Sequence, residues 1–198
     1  MSTLKELHQG VMSCQKCNLA KTRTCAVPGE GAEKAEILFI GEGPGYYEDK
    51  QGRPFVGPAG QFLDELLTSV GLKREDVYIT NIIKCRPPNN RDPLPTEIEA
   101  CSDWLKEQIE LIHPKMVVTL GRHSMARFFP KESISKLHGT AQKKEGIIYY
   151  AMYHPAAALH QQSLRNIIEE DMKKIPELVK QFHQVAEEER KPEQLSMF

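Results

Sequence analysis

Four of the five cysteines are arranged in a way that restricts what this chain can fold into: Cys14 and Cys17 form a close pair, and Cys85 and Cys101 follow far downstream. Thiolate ligands drawn from distant segments meet only if the fold carries them together. The start, Met-Ser-Thr-Leu-Lys-Glu, has charged residues where a secretory signal has an apolar stretch, so disulfides are not the expected use. Zinc modules usually place two CxxC pairs about 15 to 20 residues apart. The far longer gap here favours a four-thiolate iron–sulfur site over a zinc ribbon. The competing reading is that these are small buried hydrophobes, a common use of cysteine. Cys25 has no evident partner and reads as structural.

With 198 residues, 40% of them hydrophobic, the chain is long enough for one sizeable core and carries no sign of a second. One domain is expected over residues 1–185, with 186–198 as a flexible charged tail. No apolar run approaches membrane-spanning length, so a soluble, cytoplasmic monomer is expected. A net charge of -1 argues against a globally basic nucleic-acid binder but leaves room for a local basic face.

Short β-branched runs alternate with helical patterns, which is how an α/β fold with a parallel sheet reads. Residues 36–40, 77–81, 116–120 and 147–152 give four strands. Phe62, Leu63, Leu66, Leu67 and Val70 recur at helical spacing, as do Ile98, Leu105, Ile109 and Ile112, where Thr96 with Glu99 reads as a capping box and Cys101 falls in the second turn. A long helix is expected after His154-Pro155, its apolar side running from Leu164 to Phe182, with Pro176 kinking or restarting it.

Ligands of such sheets gather at the carboxyl ends of the strands. Three polar groups fall there: Gly41-Glu42-Gly43-Pro44-Gly45 with Glu48 and Asp49, then Asn81, then His154. The glycine-rich turn is not GxGxxG, no Walker lysine follows, and Pro44 removes an amide that a phosphate cradle needs, so nucleotide binding is not expected. Taken singly, each group also reads as a solvated turn or a hydrogen-bonded strand end. Their coincidence favours a site.

The ordered motifs Cys14-x2-Cys17, Gly41-Glu-Gly-Pro-Gly45, Gly52-Arg-Pro-Phe55-Val-Gly57, Thr80-Asn81-Ile-Ile-Lys84-Cys85-Arg86-Pro-Pro88, Cys101 and His154-Pro155-Ala156 resemble the family 4, iron–sulfur uracil-DNA glycosylases. The resemblance runs from about Leu4 to Phe182. It implies a single-domain uracil-DNA glycosylase-like α/β fold with a central four-stranded parallel sheet flanked by helices, and a [4Fe-4S] cluster on Cys14, Cys17, Cys85 and Cys101. It implies that the enzyme flips uracil out of DNA and hydrolyses its glycosidic bond, leaving an abasic site. His154 then donates to uracil O2, Asn81 reads the amide edge, Phe55 stacks on the base and Gly43 lets the base approach closely. Glu42 and Glu48 lie near the sugar, and either is a candidate to orient the attacking water.

Leu159 is read as a wedge filling the gap left by the flipped base, or else as a core leucine. Lys84, Arg86, Arg91 and Arg122 are read as phosphate contacts, or else as solvated surface. Tyr46-Tyr47 and His160 depart from the residues frequent in relatives, which are acidic in the first case and an arginine in the second. Gln194, Leu195, Met197 and Phe198, at the end of the charged tail, resemble a bacterial sliding-clamp-binding peptide. The alternatives to uracil excision are a catalytically silent DNA-binding iron–sulfur module and a glycosylase for another deaminated base.

Overall fold

A computed structural model describes residues 3–188, with side chains to residue 181; the clamp-peptide residues 194–198 lie outside that range. The chain opens with α1 (Leu4–Ser13), capped reciprocally by Thr3 and Glu6 at 3.2 and 2.7 Å. The strands are β1 (Glu30–Gly31), β2 (Ile37–Gly41), β3 (Tyr78–Asn81), β4 (Met116–Leu120), β5 (Ala141–Lys144) and β6 (Ile147–Met152). Between and after them lie α2 (Tyr46–Gln51), α3 (Pro58–Ser69), α4 (Pro95–Ile112), α5 (Arg122–Ala126), α6 (Ile134–Leu137), α7 (Pro155–His160) and α8 (Ser163–Glu188).

The six strands form one sheet in the order β1-β3-β2-β4-β6-β5, and the central four are mutually parallel. Every residue of β2, β3 and β4 is buried, as parallel strands covered on both faces must be, which is why they read as unbroken apolar runs. Alternation along β2 divides the core. Ile37 and Phe39 face Phe62, Leu63, Leu66 and Leu67 of α3 and Ile168, Met172 and Ile175 of α8, while Leu38 and Ile40 face Leu105 and Ile112 of α4.

Two edge strands join the four expected ones. β1 is too short to carry a pattern, and β5, Ala-Gln-Lys-Lys, is exposed throughout; charged residues of this kind suit an antiparallel edge. Helix α4 starts earlier than the expected Thr96–Glu99 box. Pro95 occupies its first turn, where its missing amide costs nothing, and the Glu97 carboxylate accepts from the Leu94 amide at 2.8 Å. The expected long C-terminal helix is two helices, divided at the extended Gln161 (φ -135°), and Pro176 lies within α8 without ending it. Helix α8 continues to Glu188, past the expected boundary at 185. Among the described residues no helix is long and apolar enough to cross a membrane.

Candidate active site

The carboxyl ends of β2, β3 and β6 open onto a cleft of about 540 Å³, and Glu42, Gly43, Glu48, Phe55, Asn81 and His154 all line it. Asn81 ends β3 directly opposite Gly41 of β2. A Cβ on Gly41 would overlap the Asn81 side-chain oxygen and sit 2.6 Å from Phe55 Cζ, so a glycine here lets the amide and the ring converge. The Asn81 side-chain amide borders the cleft.

His154 caps α7, and its Nδ1 accepts the Ala156 amide at 3.1 Å. That leaves Nε2 to carry the ring proton in the neutral form. Burial drives the His154 pKa down to about 4, against a smaller upward pull from Glu48. Phe55 stacks on the imidazole, with ring centroids 5.5 Å apart and planes 24° apart.

The two candidate carboxylates have different surroundings. Glu48 Oε1 accepts the amides of Val56 and Gly57, both at 2.8 Å, and Oε2 accepts that of Gly45 at 3.1 Å. Oε1 is thus committed to holding the loop that carries Phe55, and Oε2 to capping α2. Glu42 is half-buried, and burial raises its pKa above the usual carboxylate range, with Asp92 adding to the rise and His123 and Arg122 opposing it. His123 Nε2 lies 3.8 Å from Glu42 Oε2 and 3.3 Å from Asp92 Oδ2. His123 and Asp92 were invisible as site residues in the sequence because neither belongs to a motif; only the meeting of α5 with the loop before α4 brings them to Glu42.

Phe55 has a left-handed backbone (φ +50°). Arg74 donates to the carbonyls of Pro54 and Phe55 at 2.6 and 3.0 Å and is itself held by Glu30 and Asp64. This second support of the loop was also unforeseen, since Arg74 lies between β-strands in a stretch that reads as an ordinary charged turn.

A second, small cavity is lined by all four expected cysteines: Cys14 and Cys17 after α1, Cys85 after β3 and Cys101 on α4. The Arg23 guanidinium donates to Cys85 Sγ at 3.0 Å and the Trp104 indole to Cys14 Sγ at 3.4 Å. Burial pushes the Cys101 thiol up to about 11 and raises that of Cys85. Among the described residues, the only group of three or more His, Cys, Asp or Glu whose ligand atoms all lie within 4.8 Å of one another is Glu42, Asp92 and His123. Cys25 lies elsewhere, against Gly52.

The expected phosphate contacts divide. Lys84 requires correction: it is 1% exposed, and its ammonium is spent on internal oxygens, so it cannot reach a DNA backbone. Arg86 is partly exposed, over the Tyr46 ring and bonded to Asn90. Arg91 is paired with Glu97, and Arg122 with Asp92. Leu159 is 51% exposed at the end of α7, not in the core.

The model of the Uracil DNA glycosylase superfamily matches residues 28–179. The chain is 53% identical over 188 residues to a type-4 uracil-DNA glycosylase of Sulfurisphaera tokodaii, covering 90% of this chain and 86% of that one. It is 50% identical over 187 residues to the type-4 enzyme of Archaeoglobus fulgidus (90% and 94%), and 46% identical over 175 residues to that of Thermotoga maritima (86% and 91%). The matched span contains every strand of the parallel sheet and every cleft residue named above, and the chain belongs to the uracil DNA glycosylase superfamily.

Proposed function

We propose that the protein excises uracil from DNA by hydrolysing the N-glycosidic bond, releasing the base and leaving an abasic site. The observation that carries this reading is the pairing, in one cleft, of a neutral imidazole whose Nδ1 is taken by the Ala156 amide with the side-chain amide of Asn81. An amide offers a donor and an acceptor side by side, which complements O4 and N3–H of uracil.

As the bond from the sugar C1′ to uracil N1 breaks, its electron pair passes to the base and positive charge develops on the sugar. His154 Nε2–H donates to O2, where part of the negative charge accumulates, and Asn81 holds the opposite edge. A neutral donor of low pKa keeps its proton at neutral pH without protonating the base. Phe55 provides the stacking face for the extruded base, Gly43 admits it without a side chain in the way, and Leu159, exposed near the end of α7, fills the vacated stack. Arg86 is the remaining candidate for a backbone phosphate. Water then adds to C1′ and its proton passes to Glu42, the carboxylate whose oxygens are not committed to amides. Glu48 acts through the loop.

The donor set at the second cavity fits an iron–sulfur group: four cysteines on one cavity, backed by Arg23 and Trp104 hydrogen bonds. Cys14, Cys17, Cys85 and Cys101 would hold a [4Fe-4S] cluster, and such a cluster supplies a cross-link rather than electrons for hydrolysis. Replacing Asn81 or His154 by alanine is expected to slow single-turnover uracil release by on the order of 10²-fold or more, with DNA affinity changed far less. Near-native rates in both variants, measured on uracil-containing oligonucleotides with alkali cleavage, would remove the uracil pocket from this cleft.

A further inference from the structure

Lys84 has a buried ammonium with no carboxylate against it. Its three donors converge on three oxygens of the interior: Thr80 Oγ1 at 2.7 Å, the Asn81 main-chain carbonyl at 2.7 Å and Gln108 Oε1 at 2.6 Å. The ionisable groups facing it are the thiols of Cys85 and Cys101. Burying an ammonium carries a heavy desolvation penalty that a neutral side chain avoids, so a lysine at this point demands a reason.

We propose that Lys84 is a positioning residue for base readout: its ammonium fixes the carboxyl end of β3 so that the Asn81 side-chain amide meets the uracil edge in register. The inference rests on the role given to Asn81 above.

Past Asn81 the chain leaves the sheet, and two further main-chain bonds, Ile82 N to Gly41 O and Ile83 N to Glu42 O, guide it along the turn after β2. The Asn81 carbonyl has no strand beyond it to pair with, and Lys84 closes it from three residues on. The same ammonium ties this strand end to α4 through Gln108, whose amide donates to Pro28 O at 2.7 Å and to Tyr78 Oη at 3.2 Å. Thr80 Oγ1 also donates to Pro28 O, at 2.8 Å. Three convergent donors on one atom are what lysine offers and what methionine, glutamine and the planar guanidinium of arginine do not. Without them Asn81 O, Thr80 Oγ1 and Gln108 Oε1 lose a shared partner, and the strand end is free to shift by the fraction of an ångström that spoils a bidentate hydrogen bond.

The test is a double-mutant cycle between Lys84→Met and Asn81→Ala, read as single-turnover uracil release from a uracil-containing duplex, with iron content and visible absorption measured on every preparation. Lys84→Met alone is expected to slow release by on the order of 10-fold. In the Asn81→Ala background it is expected to slow release no further than about twofold, since a residue that works through Asn81 has nothing left to position. Losses that multiply, or a full rate in folded Lys84→Met protein, would overturn the inference. If Lys84→Met loses its iron or does not fold, Gln108→Leu removes one acceptor of the ammonium from the α4 side without touching a cysteine. A rate loss that vanishes when Asn81 is already alanine supports the inference; a multiplicative loss, or none, overturns it. Failure of the underlying reading is visible before Lys84 is altered, as a wild-type protein that releases no uracil or an Asn81→Ala variant at the wild-type rate; either result overturns both.

Discussion

The cysteine cavity and the strand-end cleft lie at the two ends of one short segment, Asn81 to Cys85, yet they are built on opposite principles. At the cavity the decisive groups are side chains of one rare type, and the fold's task is only to gather them from α1, the end of β3 and α4. At the cleft the decisive side chains are common polar types, and their placement depends on main-chain groups held from behind. Glu48 grips two amides and Arg74 two carbonyls of the Phe55 loop, while Lys84 closes the carbonyl of Asn81. A ligand set fails when one member is removed. A positioned cleft fails by degrees, according to which support is withdrawn.

The largest effect is therefore expected at the cavity. Cys85→Ser should abolish the brown colour and the roughly four irons per chain expected of the proposed cluster, and should lower the melting temperature sharply, because α4 and the end of β3 would lose their shared tie. Cys25→Ser, outside the cavity, should change neither. Iron analysis, visible absorption and a thermal melt decide the matter; full iron without Cys85, or lost iron without Cys25, reverses the ligand assignment.

Next come the two carboxylates of the cleft, which separate chemistry from support. Glu42→Gln should cost on the order of 10²-fold in rate with little change in stability, because the proton of the attacking water loses its acceptor. Glu48→Gln puts an amide NH₂ where one oxygen now accepts from backbone amides. That leaves a donor unsatisfied at a cost of about 1–3 kcal/mol, so its melting temperature should fall along with its rate. Acidity distinguishes them further. In the proposed mechanism Glu42 works as the carboxylate, and its pKa lies above the usual range, so the rate should drop on acidification at a higher pH than an ordinary glutamate would give. His154, with its pKa near 4, stays neutral through most of that fall and does not supply the limb. The acid limb should flatten in Glu42→Gln and persist in Glu48→Gln; the opposite pattern would exchange their roles.

The same contrast accounts for what the sequence disclosed. The four parallel strands were legible because burial on both faces leaves continuous apolar runs, and the cysteines because their spacing has few uses. β1 and β5 were not, since an edge strand of two residues, or one reading Ala-Gln-Lys-Lys, has no apolar alternation to find. The clefts's own residues Glu42, Asn81 and His154 stood out by falling at strand ends, but nothing in their spacing separated Glu42 from Glu48. That distinction lies in amides of Gly45, Val56 and Gly57, which every sequence possesses. Lys84 was misread for a related reason: beside Arg86 it looks like basic surface, and only the closure of β3 against α4 turns it inward.

The smallest effect is expected at Arg74, the support furthest from the chemistry. Phe55 has a left-handed backbone at φ +50°, a conformation that costs a non-glycine residue on the order of 1 kcal/mol or more unless its surroundings enforce it. Glu48 enforces it from the amide side, through Val56 and Gly57, and Arg74 from the carbonyl side, through Pro54 and Phe55. Gly60 leaves room for the Phe55 carbonyl, which a Cβ at that position would strike. Arg74→Met removes one of the two grips, so the ring should sample positions off the base while Asn81 and His154 stay in place. The rate should fall several-fold, by less than in Glu48→Gln. Arg53→Met is the matched control, because Arg53 is bound to Glu30, as Arg74 is, at 2.7 and 3.0 Å but makes no hydrogen bond to the Pro54 or Phe55 carbonyls. It should leave uracil release within about twofold of wild type, the change expected of an exposed ion pair. Equal losses in the two variants, measured in single turnover, would mean that the Glu30 ion pairs matter as a group and that the Phe55 carbonyl needs no holder of its own.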